Sequence, residues 1–446
     1  MQNAKKNAAS ASLIAGLLLA PASASLAAMG NIATTYGILP RDIATAQSFS
    51  MFSDQASAAY YNPSYLVSDT RGELTLGLLS AHYKLEADSQ GGSNPPQRDG
   101  DILQDGKSEN TLIGMKTDLS DLTKFHHPIV LGFMAGIEEY GQTVLAFDSK
   151  TSKKGQYFNY GRKSMFVDLG LGTKIWRGID FGAGALITLH NKADLKTTSD
   201  LAGNTERESL DIKTEPDIKG IYSLSMDWGK TFCPGEDCFV SGLETAFAYR
   251  QKSSAKTEVT ANAIIPGTVP PPGLTFSINT LDNYQPSIYE GALAWRIGSL
   301  RVGFAVEQQN WSDLEKDFKD DTIKDQVNWD FKDIVIPRVG AEYHIGDYLT
   351  LMGGVAYRES PLRNTQSIDV NYMDSDRWIG GLGLSAEFPA PWLLTYPLRV
   401  DVGYQYQQLE KRDFQLSSSD SSSNPYETVT SGGHVHTFAG TITLKF

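Results

Sequence analysis

The sequence predicts an all-β transmembrane protein, a 14-stranded antiparallel barrel of the bacterial outer membrane with an N-terminal hatch, or plug, inside its lumen. Three observations lead there. The chain opens on an export signal. Apolar and polar residues then alternate throughout, with no apolar run long enough for a membrane helix. Finally, short connections alternate with long ones.

The export signal comes first. Lys5 and Lys6 precede a short apolar run, Ser12–Ala20, and small residues suited to cleavage follow near Ala24 or Ala27, so residues 1–27 read as a signal peptide. No later segment approaches ~18 consecutive apolar residues, the length a membrane helix needs. Export implies an oxidising compartment. The two cysteines, Cys233 and Cys238 in "TFCPGEDCFV", therefore read as a local disulfide. Glu236 and Asp237 are poor partners for tetrahedral zinc, and neither a metal nor a cofactor is expected. Asp and Glu (52) outnumber Lys and Arg (39), which argues against a nucleic-acid partner.

The strands come next. "LRVDVGYQY" sets Leu398, Val400, Val402, Tyr404 and Tyr406 against Arg399, Asp401, Gly403 and Gln405. "LRVGFAVEQ" (from Leu300), "GLETAFAYR" (from Gly242), "EGALAWRIG" (from Glu290) and "PRVGAEYHI" (from Pro337) repeat the pattern. The polar face holds glycine, alanine and charges of both signs, unlike a soluble surface. A Lys or Arg facing lipid at the midplane costs ~2–4 kcal/mol, so the strict parity fits charges turned to a lumen and apolar groups to lipid. Strands are expected near 73–85, 109–118, 128–147, 164–175, 179–193, 218–229, 239–252, 284–297, 299–312, 332–345, 348–360, 376–388, 397–412 and 433–446. Long polar loops are expected at 86–108, 194–217, 253–283 and 413–432. Trp228, Trp295, Tyr348, Trp378, Tyr396 and Phe446 supply interfacial girdles, and an even strand count closes the ring. In this layout the cysteine turn faces the periplasm.

The barrel occupies 71–446 and the plug 28–70. The plug region is apolar and rich in small residues, too greasy for a solvated tail. The free space is the lumen, where Arg41, Asp42 and Asp54 would meet inward charges. Within it "DQASAAYYNPSYL" (Asp54–Leu66) resembles the Asn-Pro-Ala hatch motif of the FadL family, outer-membrane transporters of long-chain fatty acids and related hydrophobic compounds. "EQQNWSDL" (Glu307–Leu314), the stretch Phe331–Leu362 and "DSDRWIGGLGLSAEF" (Asp374–Phe388) are similar to further motifs of that family, in the same order. The resemblance spans essentially the whole mature chain. It implies a plugged 14-stranded barrel, a kinked third strand with a side exit, no enzymatic activity, and Asn62 and Pro63 as the turn of the hatch motif. The third position departs from the family, with Ser64 in place of alanine.

The third strand carries its own anomaly. "AGIEEYGQT" puts Glu138 beside Glu139, between Gly136 and Gly141, and adjacent charges cannot share one face of a regular strand. A bulge or kink forming a lateral gap is expected, the alternative being a strand end at the interface. Ile264, Ile265, Val269, Leu274 and Phe276 make the loop 253–283 greasy, either to capture substrate or to pack on neighbouring loops. Met29, Ile32, Tyr36, Ile38 and Leu39 are the expected inner pocket. Lys332, at a position similar to one in the family, is the candidate cation for a carboxylate headgroup, with Lys192 the weaker choice; the alternative for each is an ordinary solvated or ion-paired lysine. The polar stretch 194–217 departs from the family's long, partly apolar loop and weakens the case for fatty acids.

The expected function is passive uptake of hydrophobic molecules. The expected surroundings are outer-membrane lipid, lipopolysaccharide and the barrel assembly machinery, with the protein a monomer. The rivals are a barrel lipase or protease, a water-filled porin and an adhesin. No Gly-x-Ser-x-Gly occurs, and the histidine clusters His126–His127 and His434/His436 sit at turns or loop mouths.

Overall fold

The computed structural model describes residues 31–446 apart from 92–105, 123, 125–126, 148–155, 200–204, 235–237, 266–268, 320–329, 364–365, 369–373, 390–393 and 418–426. The export signal and Met29 therefore lie outside the described residues. Fourteen strands form one closed antiparallel ring. In chain order these are β1 (Glu73–Gly91), β2 (Gly106–Asp118), β3 (Ile129–Phe147), β4 (Gln156–Trp176), β5 (Ile179–Ser199), β6 (Thr205–Asp227) and β7 (Leu243–Arg250), then β10 (Ser287–Ile297), β11 (Leu300–Asn310), β12 (Ile334–Ile345), β13 (Leu349–Arg358), β15 (Arg377–Phe388), β16 (Leu398–Ser417) and β17 (Glu427–Lys445). Three further strands lie outside the ring. β8 (Ser253–Ile265) and β9 (Val269–Gln285) form a hairpin beside β5, and β14 (Gln366–Ile368) pairs with β16.

The last strand closes on the first, Glu73 opposite Lys445, and the backbones of Gly72 and Phe446 exchange hydrogen bonds of 2.7 and 2.8 Å beyond that rung. This is why the chain runs as a strand to its end: a closed ring leaves no unpaired edge for lipid to meet. Tight turns at the same end use Gly298 (φ 62°) and Gly346 (φ 61°), a left-handed conformation that glycine adopts without steric cost.

The expected loops need correction. Residues 194–217 are mostly strand, because β5 and β6 continue as a hairpin to Ser199 and from Thr205, and 253–283 is mostly the β8–β9 hairpin. Parts of 86–108 and 413–432 also extend their strands. About ten residues suffice to cross the bilayer. Strands of 19–23 residues extend beyond that length, and in their upper parts the apolar alternation that marks a strand is lost.

Within the bilayer the faces are sharply different. On β12 Val335, Val339 and Tyr343 are each 51% exposed, while Arg338 and Glu342 are 2% and 1% exposed. Such a distribution is inverted relative to a soluble sandwich and puts lipid outside. Trp176, Tyr348, Tyr396 and Phe446 ring the barrel at the end where the chain closes. Tyr249 stacks on Tyr289 (4.7 Å), and Tyr357 packs on Trp378 (4.9 Å), toward the opposite end. The Cys233–Cys238 disulfide is formed (Cα–Cα 6.3 Å) after α4 (Trp228–Phe232), in the connection between β6 and β7.

The lumen is filled by residues 31–68. Their helices are too short to stand alone: α1 (Ile32–Thr35), α2 (Pro40–Ala44) and α3 (Ala58–Tyr61), with short 3₁₀ segments at Ser50–Phe52 and Pro63–Ser68. Asn31 caps α1 through Thr34 N (2.8 Å), and Pro40 opens α2. Everything from Asn31 to Ser53 except Arg41 is buried. Small wall residues let the plug backbone approach. A Cβ on Gly182 would overlap the Ser64 backbone, and one on Gly354 the Thr45 carbonyl.

Candidate functional site: the plug and the luminal wall

On one side of the lumen the wall is ionic. Arg41 of α2 grips Glu342 of β12 with two bonds, Nε to Oε1 at 2.6 Å and Nη2 to Oε2 at 2.8 Å, and also reaches Asp54 at 3.0 Å. Glu342 in turn lies 3.5 Å from Arg301, which pairs with Glu244, and Tyr65 of the plug donates to Glu244 (2.7 Å). Asp54 faces Arg399 (3.8 Å) and Lys445 (3.9 Å), and Arg399 holds Asp401 (3.1 Å). Higher up, Arg250 pairs with Glu290 (2.7 Å) and Glu307 (3.2 Å), donates to the Tyr61 carbonyl (3.1 Å) and lies over the Tyr60 and Tyr61 rings. Bidentate, charge-assisted bonds of this kind fix orientation as well as position.

Arg41 and Asp54 meet inward charges as the sequence suggested. Asp42 does not. It accepts from Leu39 N (3.0 Å) and Ser50 Oγ (2.6 Å) inside the plug. Burial, partly offset by those bonds, pushes its carboxyl up to about 6.

The opposite wall, β2 to β6, carries an apolar cluster among buried polar groups that include Lys116, Glu138 and Asp168. Leu112, Met134, Phe166, Leu186 and Ile221 form one cluster with Ala33, Ile38, Leu39, Tyr60 and Tyr61 of the plug. There the plug is fixed by neutral hydrogen bonds. Asn62 Nδ2 donates to the Met51 carbonyl (2.6 Å) and to Ser225 Oγ (2.9 Å), and Ser64 N donates to Ser223 Oγ (2.8 Å). Asn62 and Pro63 thus form a turn that docks on β6, with Ser64 Oγ donating to Asn62 Oδ1 (2.6 Å).

The hatch residues named from sequence are buried but not gathered in one pocket. Ile38 and Leu39 belong to the cluster just described, whereas Ile32 and Tyr36 pack with Ile43, Leu79, Leu409 and Val435. A short plug presents different faces to different strands, so neighbours in sequence part company. Ile264 lies half-buried on β8, opposite Thr198 of β5. The side chains of Ile265, Val269, Leu274, Phe276 and Lys192 lie outside the described residues. Lys332 Nζ donates to Glu359 (2.6 Å) at the rim of a cleft of about 350 Å³, lined also by Arg363, Asp376, Glu410, Lys411 and Arg412.

β3 is continuous, yet irregular where the sequence placed its anomaly. Its register on β4 shifts between Glu139 and Gln142, a bulge. On the other side its ladder with β2 stops at Glu109–Glu139, although β2 continues to Gly106 along β1. Glu138 faces inward and is buried; the side chains of Glu139 and Gly141's surroundings lie outside the described residues. A Cβ on Gly136 would meet the Phe166 ring at 2.7 Å, so that ring covers the strand just below the bulge.

Sequence reasoning did not single out Asp168 or Asn110. Asp168 is 1% exposed, Asn110 2%, and both face the lumen. The signal was available in "FVDLGLG", where Asp168 shares its parity with Phe166, Gly170 and Gly172.

The comparisons with known proteins agree with this architecture. The profile described as "Outer membrane protein transport protein (OMPP1/FadL/TodX)" matches residues 22–446. Alkane uptake protein A of Marinobacter nauticus is 47% identical over 441 residues, 96% of each chain. Among solved structures, a Pseudomonas aeruginosa FadL homologue superposes with a TM-score of 0.62 at 16% identity, covering 95% of this chain and all of that one. The P. putida toluene transporter TodX gives 0.55 at 12% identity, covering 92% and 99%. These two bear on the fold alone. The profile match and the 47% identical relative together establish that this chain belongs to the OMPP1/FadL/TodX family of outer-membrane transport proteins for hydrophobic compounds.

Proposed function

We propose that this protein takes up alkane-like hydrocarbons or long-chain fatty acids passively: capture on the β8–β9 hairpin, passage between plug and wall, and lateral release between β2 and β3. The observation that carries the route is the early end of the β2–β3 ladder at Glu109–Glu139, next to the β3 bulge. The 47% identical relative bears the name of an alkane uptake protein, which supports the hydrocarbon side of the reading. Energetics suit a passive carrier. Each buried methylene contributes ~0.8 kcal/mol. Ten give ~8 kcal/mol before losses, at best about micromolar binding, tight enough to capture and weak enough to release.

A disulfide across the proposed gap tests the route. In Ser108→Cys/Tyr140→Cys, uptake of labelled hexadecane by intact cells should fall about tenfold or more when oxidised and recover on reduction. Unchanged uptake in the oxidised, folded variant would remove the lateral exit from the mechanism.

A further inference from the structure

We propose that the outward face of β17, β1 and β2 binds a phosphate of lipid A, the membrane-embedded part of lipopolysaccharide, through His82, Lys84, Lys107, His434 and His436. The proposal needs only the outer-membrane location and is independent of the uptake route. His434 and His436, expected at a turn or loop mouth, lie within β17.

Strand register brings the five side chains together. His82 stands opposite His436 on β17 and opposite Lys107 on β2, and Lys84 stands opposite His434. Directly opposite residues share a face, with Cβ atoms ~4.5–5.5 Å apart. That face is the outer one, since Leu76, Leu78, Phe438 and Ile442, at the same parity, are 54–66% exposed. His82, Lys84 and Lys107 are exposed, and His434 and His436 are half-buried.

Position along the strand sets the level. On β1 the outward residues run Leu74, Leu76, Leu78, then Ser80, His82, Lys84. At ~3.4 Å per residue and a tilt of about 40°, His82 stands ~21 Å above Leu74. The apolar band of an outer-membrane barrel is ~25 Å tall, with short turns periplasmic and longer loops extracellular, so the cluster lies at the outer-leaflet edge of the band. There lipid A changes from acyl chains to phosphorylated sugar. Toward the same end β7, β10, β13 and β15 present aromatic rings instead, Tyr249 on Tyr289 and Tyr357 on Trp378.

The imidazoles are held in place. The Tyr404 hydroxyl and His436 Nδ1 share a hydrogen bond of 2.8 Å, and Ser80 Oγ and His82 Nε2 share one of 3.2 Å. The His434 ring meets that of His436 edge-on at 5.2 Å and lies 6.0 Å from that of Tyr406. Fixed side chains lose little freedom on binding. Acids share the face: Glu109, which Lys107 holds at 3.0 Å, and Glu86 and Asp88 farther along β1. Lys84 lies between His82 and the last two. Phosphate oxygens accept from ammonium and imidazole N–H groups, and such charge-assisted bonds are short and strong.

The test is binding of the full mature protein in detergent micelles to purified deep-rough lipopolysaccharide, to the same lipid dephosphorylated, and to phosphatidylglycerol. Folding is checked by heat-modifiable gel mobility. The wild type should prefer the phosphorylated lipopolysaccharide about tenfold over the other two. Lys84→Ala should weaken that binding about fivefold, and His434→Ala should weaken it too. Lys174→Ala, beside the β4–β5 turn at the opposite end of the barrel, should leave it unchanged. Equal binding of either other lipid, displacement by inorganic phosphate, or no binding by the folded wild type would overturn the lipid A site. So would an affinity that neither variant moves, or one that Lys174→Ala lowers as much.

Discussion

The two halves of the luminal wall hold the same plug by different means. From β10 round to β17, with β7 and β1, the plug is bolted by charge: Arg41 to Glu342, Asp54 to Arg399 and Lys445, Tyr65 to Glu244. From β2 to β6 it is packed against an apolar cluster and held by the neutral bonds of Asn62 and Ser64, with Lys116 of β2 donating to the Asp54 carbonyl. A buried ion pair adds little net stability over an apolar contact, but breaking one strands a charge and costs far more. An apolar contact can slide, and another apolar molecule can replace it. The ionic half therefore serves as the anchor, and in the proposed route the apolar cluster of the other half is where a hydrocarbon displaces protein contacts. The bulge in β3 and the shortened β2–β3 ladder lie in that half.

Three substitutions break or sharpen this contrast. The largest effect is expected from Arg41→Ala, which leaves Glu342 buried with one cation fewer. A loss of about 3–5 kcal/mol in plug docking follows. Hydrogen exchange of residues 40–54 should accelerate on the order of 10²–10³-fold while the barrel amides stay protected. Exchange unchanged in that segment would mean the ionic half is not the anchor. Next is Phe247→Lys, on the outward face of β7 and 50% exposed. It should cost about 2–4 kcal/mol in lipid-dependent unfolding. A neutral result would place Phe247 away from lipid and undo the assignment of faces. The smallest is Asn62→Ala, which removes the donor to Met51 and Ser225. About 1–3 kcal/mol is expected, with faster exchange confined to residues 58–66. An effect as large as that of Arg41→Ala, or one spreading to residues 40–54, would erase the distinction between the halves.

Much of this was legible in the sequence. All fourteen ring strands were readable because parity is local: Val339 and Tyr343 against Arg338 and Glu342 declare two faces without knowledge of any neighbour. The plug was readable as an apolar stretch with no other place to go. The upper strands were not, since polar residues fall at both parities through Lys196–Thr198 and Glu206–Ser209, leaving no sustained apolar period. Nor was the split of Ile32 and Tyr36 from Ile38 and Leu39, which depends on the path of the plug through the ring. Asp168 went unnoticed because one acid on a polar face looks like every other until its neighbours are known.

The sequence by itself determined export, strand number, the direction each strand faces and the disulfide turn, because these follow from composition and from periods of two residues. Only the tertiary structure decided which charge meets which. Arg41 and Glu342 are 301 residues apart, and closure of the ring brings them to 2.6 Å. Which luminal charges neutralise one another is set by that long-range placement, which no local pattern encodes.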